Sequence, residues 1–391
     1  MKKKILFAGI SLLATFHLTS CSQKEMTEPD THPILKIGSV TATSLNDFCA
    51  SVEFIPLETN EESLIKGMKK IVLFEDKYFI FDKEMFSIFI FDKDGRFVTK
   101  IHRIGQGPGE YTFVYDFNVN KEKRRIELLV LPQRVLSYDF DGNFIEMTQL
   151  PSPPLSYFSF ECTNDSAYLF YTVPYFDEER PFIHLSGLNA KQHEYNAFMF
   201  HDPAVALFGI YLYKYNDEVY LSNFISDNIY RFVDTSYVVA YEWDFGHRMN
   251  DFMKTMKSTP ETFNKIVPEY IDIFNANEKN HARISCFEAD RYYYTHISQG
   301  RMRRMTSADR NYKPDSYNVF YEKETGKYHY FKQTEEGCQF KVLHAGNDYC
   351  VGYIDSECMP DILERRAVEN IDVFENWKED DNPILIKMNF K

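Results

Sequence analysis

The chain has almost no tryptophan and little cysteine, with two Trp and seven Cys among 391 residues. No C-x-x-C occurs, which removes the common zinc and dithiol-redox frameworks. There is no G-x-S-x-G, no G-x-x-x-x-G-K-[ST], and no histidine pair at H-x-x-x-H or H-E-x-x-H spacing. The local signatures of α/β-hydrolases, P-loop nucleotide enzymes and helical zinc proteases are therefore missing. Positive charge is also short: 44 Lys and Arg stand against 58 Asp and Glu, a formal net charge of −14. That balance excludes the basic footprint of a nucleic-acid partner and disfavours adhesion to anionic lipid. The one apolar run, Ile5 to Leu18, falls short of the ~20 residues a membrane span needs.

That run has a different use. Lys2, Lys3 and Lys4 precede it and Leu18-Thr19-Ser20-Cys21 follows it, the order of charged region, apolar region and cleavage site in a secretory signal. The last four residues resemble the lipobox of bacterial lipoproteins, which implies that residues 1–20 are a signal peptide and that Cys21 carries the lipid. Two or three acyl chains hold a protein stably at a membrane, since each buried CH₂ contributes ~0.8 kcal/mol. The polar stretch that follows has too little apolar surface to offset ordering, so residues 21–45 are expected to be a flexible tether. The expected address is the outer membrane. Ser22-Gln23-Lys24-Glu25 loosely resembles a surface-export run and favours the cell surface over the periplasmic face.

The body is rich in what strands use. Phe and Tyr number 35 and 27, and aromatics reach 16%, an enrichment typical of β-sheet. Ser87 to Phe97 (SIFIFDKDGRF) and Arg134 to Phe144 (RVLSYDFDGNF) each run a strand into an Asp-Gly turn and out again, a strong hairpin signal. Gly95 and Gly142 lie 47 residues apart. A strand-rich repeat of ~40–50 residues means propeller blades. Asp217 to Phe232 and Tyr317 to Phe331 read as further hairpins, and 182–195 as a weaker one. Met249 to Ala282 interrupts the pattern with helical spacing divided by Pro260 and Pro268, and Asp361 to Glu379 reads as a helix. The remaining length accommodates about six repeats. Ile384 to Phe390 is expected to pair with Val52 to Leu57, closing the ring with both ends of the chain.

Ile55-Pro56-Leu57-Glu58-Thr59, the FDKDGRF turn, Gly105-Gln106-Gly107-Pro108-Gly109-Glu110-Tyr111 and Asn382-Pro383-Ile384-Leu385 resemble the six-bladed β-propeller lipoproteins of gut Gram-negative bacteria, distant relatives of NHL-repeat propellers. The resemblance implies an all-β fold: six blades of four antiparallel strands over 46–391, a short helical insertion at about 249–282, and a C-terminal helix before the closing strand. It implies no general enzymatic activity.

Chemistry-bearing residues are few. Pro108 and Glu110 make Gly105 to Tyr111 unfit for phosphate, so it reads as a connection between blades. Asp92 to Gly95 and Asp139 to Gly142 lack the remaining ligands of a calcium loop and read as turns. His102, His184, His296 and His344 fall near strand ends, where blades could jointly supply a metal. Cys350 with Cys358, or Cys338 with Cys350, could pair, although buried free thiols explain them more simply. Arg301-Met302-Arg303-Arg304 is a compact basic run. Tyr211, Tyr213 and Tyr215 share one side of a strand, and Tyr292 to Tyr294 are consecutive. No catalytic residue, metal ligand or cofactor is assigned. The expected role is recognition of a glycan, peptide or envelope protein, with no nucleic acid and with the membrane reached through the lipid. The alternative is a metal-dependent lactonase-like or lyase-like propeller enzyme.

Overall fold

The computed structural model describes residues 32–150, 155–163, 167–174, 183–187, 193–194, 210–224, 226–233, 236–247, 271–272, 274–300 and 314–391. They belong to one compact unit, His32–Lys391. Cys21, the helical spacing over 249–270, and Arg301 to Arg304 lie outside them.

Five four-stranded antiparallel sheets and one five-stranded sheet follow one another along the chain. The first sheet comprises Met68–Phe74, Lys77–Asp82, Ser87–Asp92 and Phe97–Ile101, and the second Phe113–Asn120, Arg125–Leu131, Arg134–Tyr138 and Phe144–Gln149. The third contains Leu155–Cys162, Ala167–Pro174, Ile183–Gly187 and His193–Glu194. The fourth contains Ile210–Tyr215, Glu218–Asn223, Asn228–Val233 and Ser236–Asp244, with Ile34–Lys36 added in parallel on its outer edge. The fifth contains His281–Glu288, Tyr292–Gln299, Asp315–Glu322 and Tyr328–Phe331.

The sixth sheet joins the ends of the chain. Phe340–Ala345, Tyr349–Ile354 and Ile384–Phe390 are completed by Cys49–Pro56, which pairs antiparallel with Ile384–Phe390. The first strand of each sheet contacts the first strand of the next, and the circuit returns from Phe340–Ala345 to Met68–Phe74. This is a β-propeller, and these first strands line its channel. Its apolar core lies between neighbouring sheets, as with Phe79, Phe81 and Ile90 against Phe117 and Leu128.

Asp-Gly turns behave as their sequence implies. Gly95 and Gly142 both take φ +81°, a conformation closed to most side chains. Asp92 Oδ1 accepts from the amides of Asp94 and Arg96, and Asp139 Oδ1 from those of Asp141 and Asn143. The carboxylates that suggested calcium therefore organise hairpins.

Two expectations need correction. The tether does not reach residue 45, because Leu35 and Ile37 are buried against the fourth and fifth sheets near Trp243 and Tyr330. Thr41 donates its amide to Tyr330, and the Leu45 amide reaches the Glu336 carboxylate. A few apolar residues in a polar stretch suffice to strap it down. Asp361 to Glu379 is likewise not one helix. Met359–Arg365 and Asp372–Asn376 are separate short helices, because Arg366 and Asn370 adopt φ +49° and +56°, which end an α-helix.

Candidate functional site: the channel mouth

Strand direction divides the channel ends. Where first strands end, they turn into their neighbours tightly, as at Glu75-Asp76, Asn216-Asp217 and 346–348. Where they begin, the described chain makes its long connections: 57–67, 102–112 and 355–383. Variable loops on a rigid scaffold are the usual place for recognition, so the mouth at this end is the candidate site.

A repeated irregularity shapes it. In five of the first strands the ladder to the second strand carries one extra residue near the mouth. The extra residues are Lys69, Tyr115, Phe158, Ile284 and Leu343. Bulges re-aim side chains that regular alternation would hide. Phe158 is 39% exposed, and Tyr211, in the unbulged strand of the fourth sheet, is 38% exposed. Aromatic rings continue around the rim: Phe86 to Phe113 at 4.5 Å, Phe113 to Tyr115 at 4.8 Å, and Tyr115 to Phe158 at 5.4 Å between centroids.

Amines stand beside this arc. Lys69 Nζ donates to the Tyr115 carbonyl at 3.1 Å. Burial lowers its pKa, which Asp116 partly restores and Lys70 and Lys83 lower further. Lys341, at the start of the sixth sheet, is pushed down to about 8 by burial and then by Lys83. Deeper in, Lys70 Nζ bonds Asp116 Oδ1 (3.1 Å), the Phe117 carbonyl (2.7 Å) and Asn118 Oδ1 (3.0 Å). Asp116 Oδ2 accepts from Ser159 Oγ at 2.7 Å. Glu161 lies further along, its carboxyl raised by burial.

The residues singled out from sequence are scattered. His102 Nδ1 meets Ser87 Oγ at 2.8 Å. His296 is buried with Asn318, and its pKa falls to about 4. His344 faces Tyr349 and falls to about 3 through burial. His184 lies on the third strand of its sheet. Among the described residues no group of three or more His, Cys, Asp and Glu could hold a metal, and Cys49, Cys162, Cys286, Cys338, Cys350 and Cys358 are free. Tyr213 stacks on Tyr220 at 5.1 Å and bonds Tyr241 at 2.8 Å, while Tyr292 and Tyr294 are buried; these tyrosines pack. In the glycine-rich loop, Gly107 N bonds the Glu110 carboxylate, and Tyr111 Oη bonds the Phe86 carbonyl. That loop fastens the first sheet to the second. Phe158 and Lys69 carried no sequence signal, because the bulges that display them break the alternation by which strands are read, and Lys83 and Lys341 are single lysines without a motif around them.

The family model described as Domain of unknown function (DUF4934) matches residues 31–389. No curated protein matches. A crystal structure of a Bacteroides fragilis protein described as exported is 19% identical, with a TM-score of 0.71 over 92% of this chain and 99% of that one. A DUF4221 family member from Bacteroides vulgatus is 13% identical, with a TM-score of 0.52 over 88% and 97%. Both likenesses concern the fold. Among the described residues no helix is long and apolar enough to cross a membrane.

Proposed function

The chain belongs to the DUF4934 family, and on that premise we propose that it is a six-bladed, NHL-like lipoprotein propeller that recognises a glycan, peptide or envelope protein at its channel mouth. Six successive sheets and the circuit of first strands support the blade number. The Cys21 lipobox supports the anchor and an outer-membrane address, and the structural neighbour described as exported agrees with export. The observation that carries the reading is the pair of rings at the mouth, Phe158 and Tyr211, left 39% and 38% exposed where core packing does not need them. Exposed rings offer flat apolar faces for stacking, worth about 0.5–1.5 kcal/mol each beyond area.

The test is immobilised protein starting at His32, exposed to panels of oligosaccharides and peptides and to solubilised envelope proteins. Retention of a ligand from one panel, lost in Phe158→Ala, is the expected result. Retention of nothing, or retention indifferent to Phe158, contradicts the reading.

A further inference from the structure

Resting on that recognition reading, we propose that the ligand is acidic: the mouth binds a saccharide bearing carboxylate or sulfate groups, gripped by Lys69, Lys83 and Lys341 while Phe158 stacks on its ring. Lys83 follows the second strand of the first sheet, Lys69 occupies the bulge of its first strand, and Lys341 begins the adjoining first strand of the sixth sheet. Those two first strands are in contact, so the topology gathers all three amines at one sector of the mouth.

Direct charge pairing is missing around them among the described residues, and only Asp116 acts on Lys69 from a distance. Among the described residues, the Lys83 and Lys341 side chains have neither an ion pair nor a hydrogen bond, and Lys69 Nζ donates to the Tyr115 carbonyl and stands 5.7 Å over the Phe81 ring. Lys70, one residue away, is by contrast fully engaged by Asp116, Phe117 and Asn118. The chain carries 58 acidic residues and builds ion pairs elsewhere, such as Lys100–Glu62 and Lys323–Glu288. The Lys83 charge repels those of Lys69 and Lys341, and burial disfavours the charged forms of the latter two. A bound anion relieves both by charge-assisted hydrogen bonds. The aromatic side decides the rest of the ligand. Lys69 contacts the Tyr115 carbonyl, and the Tyr115 ring stands 5.4 Å from that of Phe158. The Lys69 amine and the ring surface thus adjoin through Tyr115, and an acidic sugar ring placed there meets both, whereas an acidic peptide needs only the amines.

The experiment measures binding of oligogalacturonate, of the same oligomer as its neutral methyl ester, of a chondroitin sulfate oligosaccharide and of oligoglutamate to the protein starting at His32. Variants Lys83→Gln, Lys341→Gln and Phe158→Ala are compared, with thermal unfolding as the control for folding. We expect an acidic oligosaccharide to bind with steep salt dependence, the ester and either lysine variant to bind about ten-fold more weakly, and Phe158→Ala to weaken binding too. The carboxylate and sulfate probes separate the two acid groups. Equal binding of ester and acid, with the lysine variants unchanged, overturns the anion site and leaves the recognition reading standing. Binding of oligoglutamate without either saccharide overturns the saccharide assignment. Binding of none of the probes overturns this inference, and only failure across the wider panel as well removes the recognition reading. Because each lysine is tested alone, an unfolded variant in one arm leaves the other to decide.

Discussion

Lys70 Nζ lies 3.1 Å from Asp116 Oδ1 and joins the first strand of one sheet to the first strand of the next. Asp116 is 5% exposed and passes the connection on, accepting from Ser159 Oγ and the Phe160 amide of the third sheet. Lys70→Met leaves that carboxylate buried without its cation. The expected loss is about 2–3 kcal/mol, measured as a lowered urea midpoint with an unchanged slope. An unchanged midpoint would show that the polar seam does not hold these sheets together.

Gly95 and Gly142 provide a matched pair. Both take φ +81°, yet a Cβ at Gly95 would stand 2.3 Å from the Pro56 carbonyl oxygen, whereas at Gly142 its nearest neighbour is 3.5 Å away. Gly142→Ala should cost only the left-handed conformation, about 1–2 kcal/mol, and Gly95→Ala clearly more. Equal losses in chemical denaturation would mean that the hairpin of the first sheet does not dock against the closing strand as described.

Buried histidines set an acid sensitivity. Burial holds His281 and His296 down to about 4 and His344 down to about 3, from 6.5. Between those values the unfolded chain binds protons that the folded one does not, so their contribution to stability is lost as pH falls below 6.5. Each is worth about 1–2 kcal/mol by pH 5. Glu127 and Glu288, raised by burial, titrate in the opposite sense, so the informative quantity is a difference between proteins. His296→Gln should be closer in stability to the parent protein at pH 5 than at pH 7.5. A constant difference would contradict a neutral buried His296.

Ring closure rests on Cys49–Pro56 against Ile384–Phe390. Protein starting at His32 should unfold cooperatively. Protein starting at Glu58 lacks the whole closing strand and exposes the edge of the sixth sheet, so aggregation or loss of a cooperative transition is expected. A cooperative transition of similar midpoint would remove the closing role.

Much of this architecture was legible because period-two strands and Asp-Gly turns are local signals. Gly95, Gly142 and the pairing of the last strand with an early one all followed from them. The strap formed by Leu35, Ile37 and Thr41 was not legible, since two buried residues do not alter the polarity of a stretch. Nor was the break at Arg366, a residue type that ordinarily favours helix. The mouth was hidden most completely. Lys69, Phe158 and Lys341 are far apart in sequence and share one end of the channel only because first strands surround it. Tyr211, the one rim residue that did stand out, did so among tyrosines that mostly pack between sheets.

Affinity for the retained ligand, compared between the parent protein and the Phe158→Ala/Tyr211→Ala double variant, tests recognition at the mouth most directly. Both rings are exposed, so the double variant should keep its unfolding temperature while binding weakens by about ten-fold or more. Equal affinity in a folded double variant would contradict recognition at the channel mouth.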